Sequence, residues 1–232
     1  MAALCDLTER VWSTYQDITG TYVHKGDDTR EYLAFRMLYI AEVTSSAVRL
    51  NASWALTLAA MSLLRDRYEQ VVRFSWLFRN PDQTEFQKYE RSKFSKINSL
   101  VRNMSPETRS RYQELMGQPL PAWATETPSK EERAQLDAWN MLDLRSMVMR
   151  RDAFPPVADT ALAKQPLAQW YGSIYSQFSS VTHYDRYAIE LLGLQETADG
   201  SPFLGSQPHW PGLLILQNAH FDLIQCFEAS EI

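Results

Sequence analysis

The chain has 232 residues, of which 45% are hydrophobic and 22% are charged, a composition typical of an ordinary globular protein. Its 28 acidic and 23 basic residues give a net charge of −5, which argues against a nucleic-acid binder that relies on an overall positive charge. Only 8 glycines occur, and long stretches lack both Gly and Pro, so helices are favoured over a turn-rich β fold.

Hydrophobic periodicity and helix-end signals predict an all-α fold, a single bundle of about seven to nine helices. The predicted helical segments are 4–18, 29–50, 52–78, 84–102, 106–117, 129–140, 141–151, 165–194 and 210–229. The segments 52–78 and 165–194 are the longest and most apolar, so we expect them to lie side by side at the centre of the bundle.

Local signals set several helix ends. Ser105 followed by Pro106 is a strong helix start, and Ser129 is a second candidate cap. The helix that follows Pro106 should end near Gly117, and 196–208 is predicted to be a polar loop. Within the second predicted helix, the expected apolar contacts are Leu33, Phe35, Leu38, Ile40 and Val43.

One domain is expected over 1–232, with 117–160 as an inserted segment. This segment is richer in proline, more charged and less periodic than the rest of the chain. No internal repeat is evident.

Cysteine use and hydropathy indicate a cytoplasmic protein. Cys5 and Cys226 are the only cysteines and lie near opposite ends of the chain, which fits a reducing compartment. The first residues lack the basic and apolar pattern of a signal peptide. The apolar stretch 50–64 is too short and too polar for a membrane span, so no membrane association is expected.

A charged pair interrupts the third predicted helix. Arg65 and Glu69 are four residues apart, so they share one helix face and can form an ion pair. They fall on the same stripe as Leu58, Val72 and Trp76, which predicts that they point inward. Two interpretations remain open: a structural ion pair that braces the bundle, or an Arg65 that holds an anion while Glu69 orients it.

The predicted helix 165–194 carries a second candidate site. Its apolar face includes Trp170, Ile174 and Phe178, while small and polar residues share roughly the opposite face. The members of this polar face are Gly172, Ser176, Ser179, His183, Arg186 and Glu190. A histidine beside small residues can act as an acid or base near neutral pH, but the same face would also suit a helix–helix contact.

Signals for metals and cofactors are weak. His24, His183, His209 and His220 are widely spaced and belong to no HExxH or Cys/His cluster, so no metal site is assigned. No glycine-rich phosphate loop or GxSxG motif is present. No cofactor is therefore expected.

Two motifs follow one another along the chain. Arg65 and Glu69 carry Leu-Arg-x-x-x-Glu, and Tyr175, Ser179 and His183 carry Tyr-x-x-x-Ser-x-x-x-His. In this order the motifs resemble those of an uncharacterised family of bacterial helical proteins. That family is distantly similar to the HEPN superfamily of helical bundles, many of which are dimeric, metal-independent ribonucleases in toxin and phage-defence systems. The resemblance implies a HEPN-like core. The usual superfamily signature places an Arg four to six residues before the His, and this chain instead has Arg186 after it.

Two functions follow from these patterns. In the first, His183 is a general acid or base, Arg65 stabilises a phosphate, Glu69 orients Arg65, and Tyr175, Ser176, Ser179 and Arg186 bind RNA or a nucleotide. In the second, the chain is a non-catalytic module that binds a partner protein or itself through its small-residue face. A homodimer is expected under either function, because 7 Trp and 11 Tyr are more aromatic surface than one core readily buries.

Overall fold

The computed structural model describes residues 10, 13, 29–54, 56–117, 119–120, 129–138, 142–156, 159–161, 164–183, 194–196, 199, 202–204 and 210–229. The predicted all-α fold is confirmed. The helices are α1 (Thr29–Ser53), α2 (Thr57–Arg79), α3 (Gln83–Arg102), α4 (Pro106–Met116), α5 (Lys130–Ala138), α6 (Leu144–Arg151), α7 (Ala168–Trp170), the π-helix π1 (Tyr171–Ser176), α8 (Gln177–Thr182) and α9 (Trp210–Ala229). The predicted helix 4–18 lies largely outside the described residues.

The chain divides into two compact units. The first comprises Met1–Arg79 and Leu144–Ile232, and the second comprises Asn80–Asp143. The sequence-based expectation of a single domain with an insertion at 117–160 stays a prediction. The second unit begins earlier than that segment, directly after α2.

Helix α1 packs against α2 and α9 through a stripe of small residues. Its buried positions alternate in steps of four and three residues, and they are Ala34, Leu38, Ala41, Ser45, Val48 and Ala52. The expected contacts were wrong for Ile40 and Val43, which are exposed. Short side chains allow neighbouring helices to approach closely. The face of α1 that packs against its neighbours is therefore not the face with the largest apolar residues.

Helix α2 is the central element of the first unit, because α1, α6, α8, α9 and π1 all contact it. Its buried face includes Leu64, Arg67, Tyr68 and Val71, which lie one turn apart. Val72 and Trp76 of the predicted inward stripe are buried, whereas Leu58, Arg65 and Glu69 are only partly buried. The inward face is therefore rotated away from the Arg65–Glu69 pair and contains Arg67 instead.

The helix predicted over 165–194 does lie beside α2, but it is not a regular α-helix and it does not extend to residue 194. Tyr68 donates a hydrogen bond to the Leu167 carbonyl oxygen at 2.9 Å, and the Thr182 and Ser62 hydroxyls lie 3.4 Å apart, so the described part of the helix runs along α2. The first helical residue is Ala168, and π1 interrupts the helix. Leu194 belongs to a strand rather than to the helix.

The predicted polar loop 196–208 contains half of a small β-hairpin. Leu194–Glu196 and Pro202–Leu204 are antiparallel strands, with Leu194 opposite Leu204 and Glu196 opposite Pro202. Three residues per strand are too few to form an independent sheet, so the hairpin is an addition to a helical fold.

Caps explain the helix ends of the second unit. The Ser105 hydroxyl accepts a hydrogen bond from the Thr108 N–H, and Pro106 occupies the first turn of α4. Gly117 ends α4 with φ of 65°, a left-handed conformation that glycine adopts without strain. Ser129 and Glu132 form a reciprocal capping box at the start of α5. These ends were predicted correctly because each depends on a few neighbouring residues.

A network of buried charges joins α2, α6 and α9. Arg67, fully buried, donates from two guanidinium nitrogens to Asp222 Oδ1 at 3.0 and 3.2 Å. Glu228 accepts hydrogen bonds from Ser75 and Arg151 at the other end of α9. These partners make burial of the charges tolerable. In the described part of the chain, no helix is long and apolar enough to cross a bilayer.

Candidate functional site

An open polar pocket lies along π1 and α8. It has a volume of about 300 Å³ and is lined by Tyr171, Tyr175, Ser176, Ser179, Ser180 and His183. Four of these residues were predicted as site residues, three from the spacing of the polar face and Tyr175 from the motif that carries the family resemblance. The structure brings Tyr175, Ser176, Ser179 and His183 together around one pocket.

The π-helix determines which side chains line the pocket. A π-turn adds one residue relative to an α-turn, so it shifts the side chains that follow around the helix axis, and such turns are frequent at functional sites. Within π1, Tyr171 and Tyr175 stack with ring centroids 5.0 Å apart and an interplanar angle of 29°. Ile174 of the same turn remains buried in the core. The packing of Ile174 in the core thus fixes the helical turn that carries the two stacked tyrosines.

Gly172 and Ser173 extend the exposed side of π1. A Cβ placed on Gly172 would meet no atom within 4 Å. Among the described residues, no backbone or side chain therefore packs closely against the small-residue face at this point. The face is open to a ligand or another molecule.

Arg65 connects the charged pair of α2 to the pocket. Its guanidinium carbon lies 5.0 Å from the centroid of the Tyr175 ring, and its Nη2 lies 2.8 Å from Glu69 Oε1. Burial alone would lower the pKa of Arg65, but contact with Tyr175 and the charge of Glu69 outweigh burial and raise it. Arg65 is consequently a fixed positive charge behind one wall of the pocket.

Glu69 pairs with two arginines of its own helix. Glu69 binds Arg65 on one side and lies 3.6 Å from Arg73 on the other. His183 is exposed at the end of α8, where its backbone N–H donates to the Ser179 carbonyl oxygen at 3.0 Å. Of the two catalytic candidates on α2, Arg65 contacts a residue of the pocket, Tyr175. Arg186 lies outside the described residues.

Sequence reasoning missed the buried network around Arg67 and Asp222. Ser45 donates to Asp222 Oδ2 at 2.7 Å, and Asn218 donates to the Ser45 hydroxyl at 2.8 Å. Burial is the largest influence on Asp222 and raises the pKa of its carboxyl group, against the opposing effect of Arg67. A signal was present in the sequence, because Asn218, Asp222 and Gln225 recur at helical spacing within an otherwise apolar segment.

The surroundings of His220 and Cys226 indicate structural roles. His220 packs against Trp170 and Phe221, with centroid distances of 5.7 and 6.4 Å, and burial lowers its pKa. Burial also raises the pKa of the Cys226 thiol to about 11, which makes it a poor nucleophile. In the part of the chain that the structure describes, no group of three or more His, Cys, Asp or Glu side chains is arranged to hold a metal ion.

Comparisons with protein-family models, curated proteins and solved structures found no match for this chain. The geometry of the pocket is therefore the basis for assigning a function.

Proposed function

We propose that the protein binds a nucleotide, free or as part of single-stranded RNA, in the pocket formed by π1 and α8. The observation that carries this proposal is the exposed pocket in which two stacked tyrosines, three serine hydroxyls and a histidine lie together. Tyrosine rings provide faces on which any base can stack, and hydroxyls donate to or accept from base edges and phosphates.

Charge near the pocket supports the same ligand class. Arg65, which is paired with Asp66 and Glu69, sits against Tyr175 and places its guanidinium beside the aromatic wall. The net charge of −5 argues against binding a long duplex by overall attraction, but a ligand of one or a few nucleotides needs only a local cation. A small or single-stranded ligand is thus favoured over double-stranded nucleic acid.

His183 gives the pocket an acid–base group. In RNA cleavage without a metal, His183 would accept the proton of a ribose 2′-hydroxyl, whose oxygen attacks the neighbouring phosphorus. The bond to the 5′-oxygen breaks, that oxygen takes a proton from solvent or a protonated side chain, and a 2′,3′-cyclic phosphate remains. This chemistry matches the toxin or phage-defence role that the resemblance to HEPN-like ribonucleases implies.

Nucleotide binding is tested by filling the pocket. Ser176→Trp places a bulky ring in the pocket, whereas Ser173→Trp places the same ring on an exposed position of π1 that does not line it. We expect titration calorimetry with AMP and with a short single-stranded RNA to show binding by the wild type and Ser173→Trp, and at least tenfold weaker binding by Ser176→Trp. No binding by the wild type, or equal loss in both variants, would contradict the proposal.

Cleavage is tested separately with His183→Ala. We expect this variant to bind RNA and to lose cleavage by roughly 10²–10⁴-fold, the usual contribution of a general acid or base. A wild type that binds but does not cleave would limit the function to nucleotide binding.

A second candidate function is self-association through α1. Its outward face carries apolar residues at steps of three and four, and the members of this outer stripe are Ile40, Val43, Ala47, Leu50 and Trp54. Ile40, Val43 and Leu50 are 53%, 55% and 61% exposed, so large side chains remain in water on the face opposite the buried stripe. Alternating steps of three and four are the spacing of a helix–helix seam, and the same helix of a second copy would provide a matching stripe.

A further inference from the structure

A second pocket lies at the other end of α2. It has a volume of about 130 Å³, and its wall includes Arg79, Arg151, Asp152 and Lys164. Arg79 is the last residue of α2 and Arg151 is the last residue of α6, so two helix ends bring the two guanidinium groups together. The nucleotide pocket shares none of these residues.

Both arginine side chains are almost fully buried. The exposed fractions are 5% for Arg79 and 2% for Arg151. Arg79 donates to the Pro155 carbonyl oxygen at 2.6 Å, and Arg151 donates to the Gln165 carbonyl oxygen at 2.9 Å. Those bonds fix both groups in place, yet the Nε atom of each has no hydrogen-bond partner among the described residues. Buried donors without partners are rare in folded proteins.

Both arginines have carboxylate partners. Arg79 and Arg151 share the carboxylate of Glu228, and Arg151 also pairs with Asp152 at 3.0 Å. Asp152 accepts from Arg151 and also from the backbone N–H groups of Leu167 and Ala168, so its oxygens are already engaged.

Lys164 adds a third cation at the pocket wall. Its ion-pair partner Asp159 is 90% exposed, so that pair contributes little. Among the described residues that line the pocket there are therefore three cations and one carboxylate, that of Asp152, which is already engaged. In agreement, burial and the neighbouring Arg151 lower the pKa of Arg79.

We propose that this pocket binds a phosphate group, with Arg79 and Arg151 as a fixed cationic base and Lys164 as the exposed group that completes the site. Two guanidinium groups and an ammonium suit a tetrahedral oxyanion, because each can donate hydrogen bonds to a different oxygen. The phosphate is either free or carried by a small ester. Phe154, which stacks on Trp76 at 5.5 Å, lines the same pocket and offers an apolar contact to the rest of an ester.

The test uses Lys164, because its exposed side chain can be changed without opening the core. We expect inorganic phosphate to raise the melting temperature above that in chloride at equal ionic strength, since a ligand that binds only the native state stabilises it. Lys164→Gln should weaken phosphate binding in calorimetry about tenfold, the loss expected for one charge-assisted hydrogen bond. The matched control is Lys130→Gln, an exposed lysine of α5, which should leave phosphate binding unchanged.

Glycerol 3-phosphate distinguishes the two sources of the group: tighter binding than inorganic phosphate, with the same dependence on Lys164, identifies an ester. No stabilisation by phosphate or the ester, or equal effects of the two lysine variants, would overturn the proposal. Ser176→Trp should bind phosphate normally, so failure of this site and failure of the nucleotide pocket are separate results.

Discussion

Arg65 and Arg67 are two residues apart on α2, and their environments are opposite. An α-helix turns by about 100° per residue, so two residues are separated by roughly 200° around its axis. Arg67 is fully buried against Asp222 of α9, while Arg65 is 18% exposed beside the pocket that Tyr175 lines. Arg65 forms the expected ion pair with Glu69, but the fully buried ion pair of α2 is that of Arg67 with Asp222.

This difference predicts unequal costs of removing the two carboxylates. Asp222→Ala leaves the buried Arg67 guanidinium without its counter-charge, and we expect the free energy of unfolding to fall by about 3–5 kcal/mol. Glu69→Ala removes a partner from a partly exposed Arg65, and we expect a loss of about 1 kcal/mol or less. Urea denaturation of both variants measures the two values. Similar losses in both would show that Arg65 is as dependent on its partner as Arg67.

At the scale of the element, π1 shows how a local irregularity creates a site. The sequence predicted a continuous helix through 171–176, because apolar spacing alone does not indicate where a π-turn will form. The extra residue in the turn is stabilised by packing on both sides, with Ile174 in the core and Tyr175 against Arg65 and Tyr68. These contacts come from α2, about a hundred residues earlier in the chain.

Replacing Gly172 or Gly117 with alanine is expected to change stability in opposite directions. Gly172 lies in π1 without a positive φ, and Gly117 ends α4 with φ of 65°, while a Cβ at either position meets no atom within 4 Å. Gly172→Ala should raise the free energy of unfolding by roughly 0.5–1 kcal/mol, because alanine loses less backbone entropy in a helix. Gly117→Ala should lower it by about 1 kcal/mol, because alanine is strained at positive φ. Thermal unfolding of both variants gives the comparison, and a loss of stability in Gly172→Ala would indicate that π1 needs glycine.

At the scale of the whole molecule, the outer stripe of α1 predicts self-association. We expect sedimentation at micromolar concentration to give a dimer for the wild type, since burial of these side chains removes apolar surface from water. Leu50→Glu should shift the protein to a species near 27 kDa by placing a charge in the contact. Leu115→Glu is the matched control, because Leu115 of α4 is 79% exposed and lies outside α1. A wild type that sediments only as a monomer would reject self-association.

The sequence by itself determined the helical class and those features that depend on neighbouring residues. The caps at Ser105 and Ser129 and the Gly117 terminus agree with prediction, because hydrogen bonds within a few residues set them. The bounds of Trp210–Ala229 also agree with prediction. The i, i+4 pairing of Arg65 with Glu69 is equally local. The grouping of Tyr175, Ser176, Ser179 and His183 was also predictable, since one stretch of helix carries all four.

Only the tertiary structure decided which arginine is buried, which face of α1 packs and where two cationic helix ends meet. Arg67 and Asp222 are 155 residues apart, and Arg79 and Glu228 are 149 residues apart. Helical periodicity gives the relative angles of residues on one helix, but the rotation of that helix toward its neighbours depends on how all packed surfaces fit at once. For this reason the inward stripe of α2 was predicted with Arg65 in place of Arg67, and the pocket at Arg79 and Arg151 had no signal in the sequence.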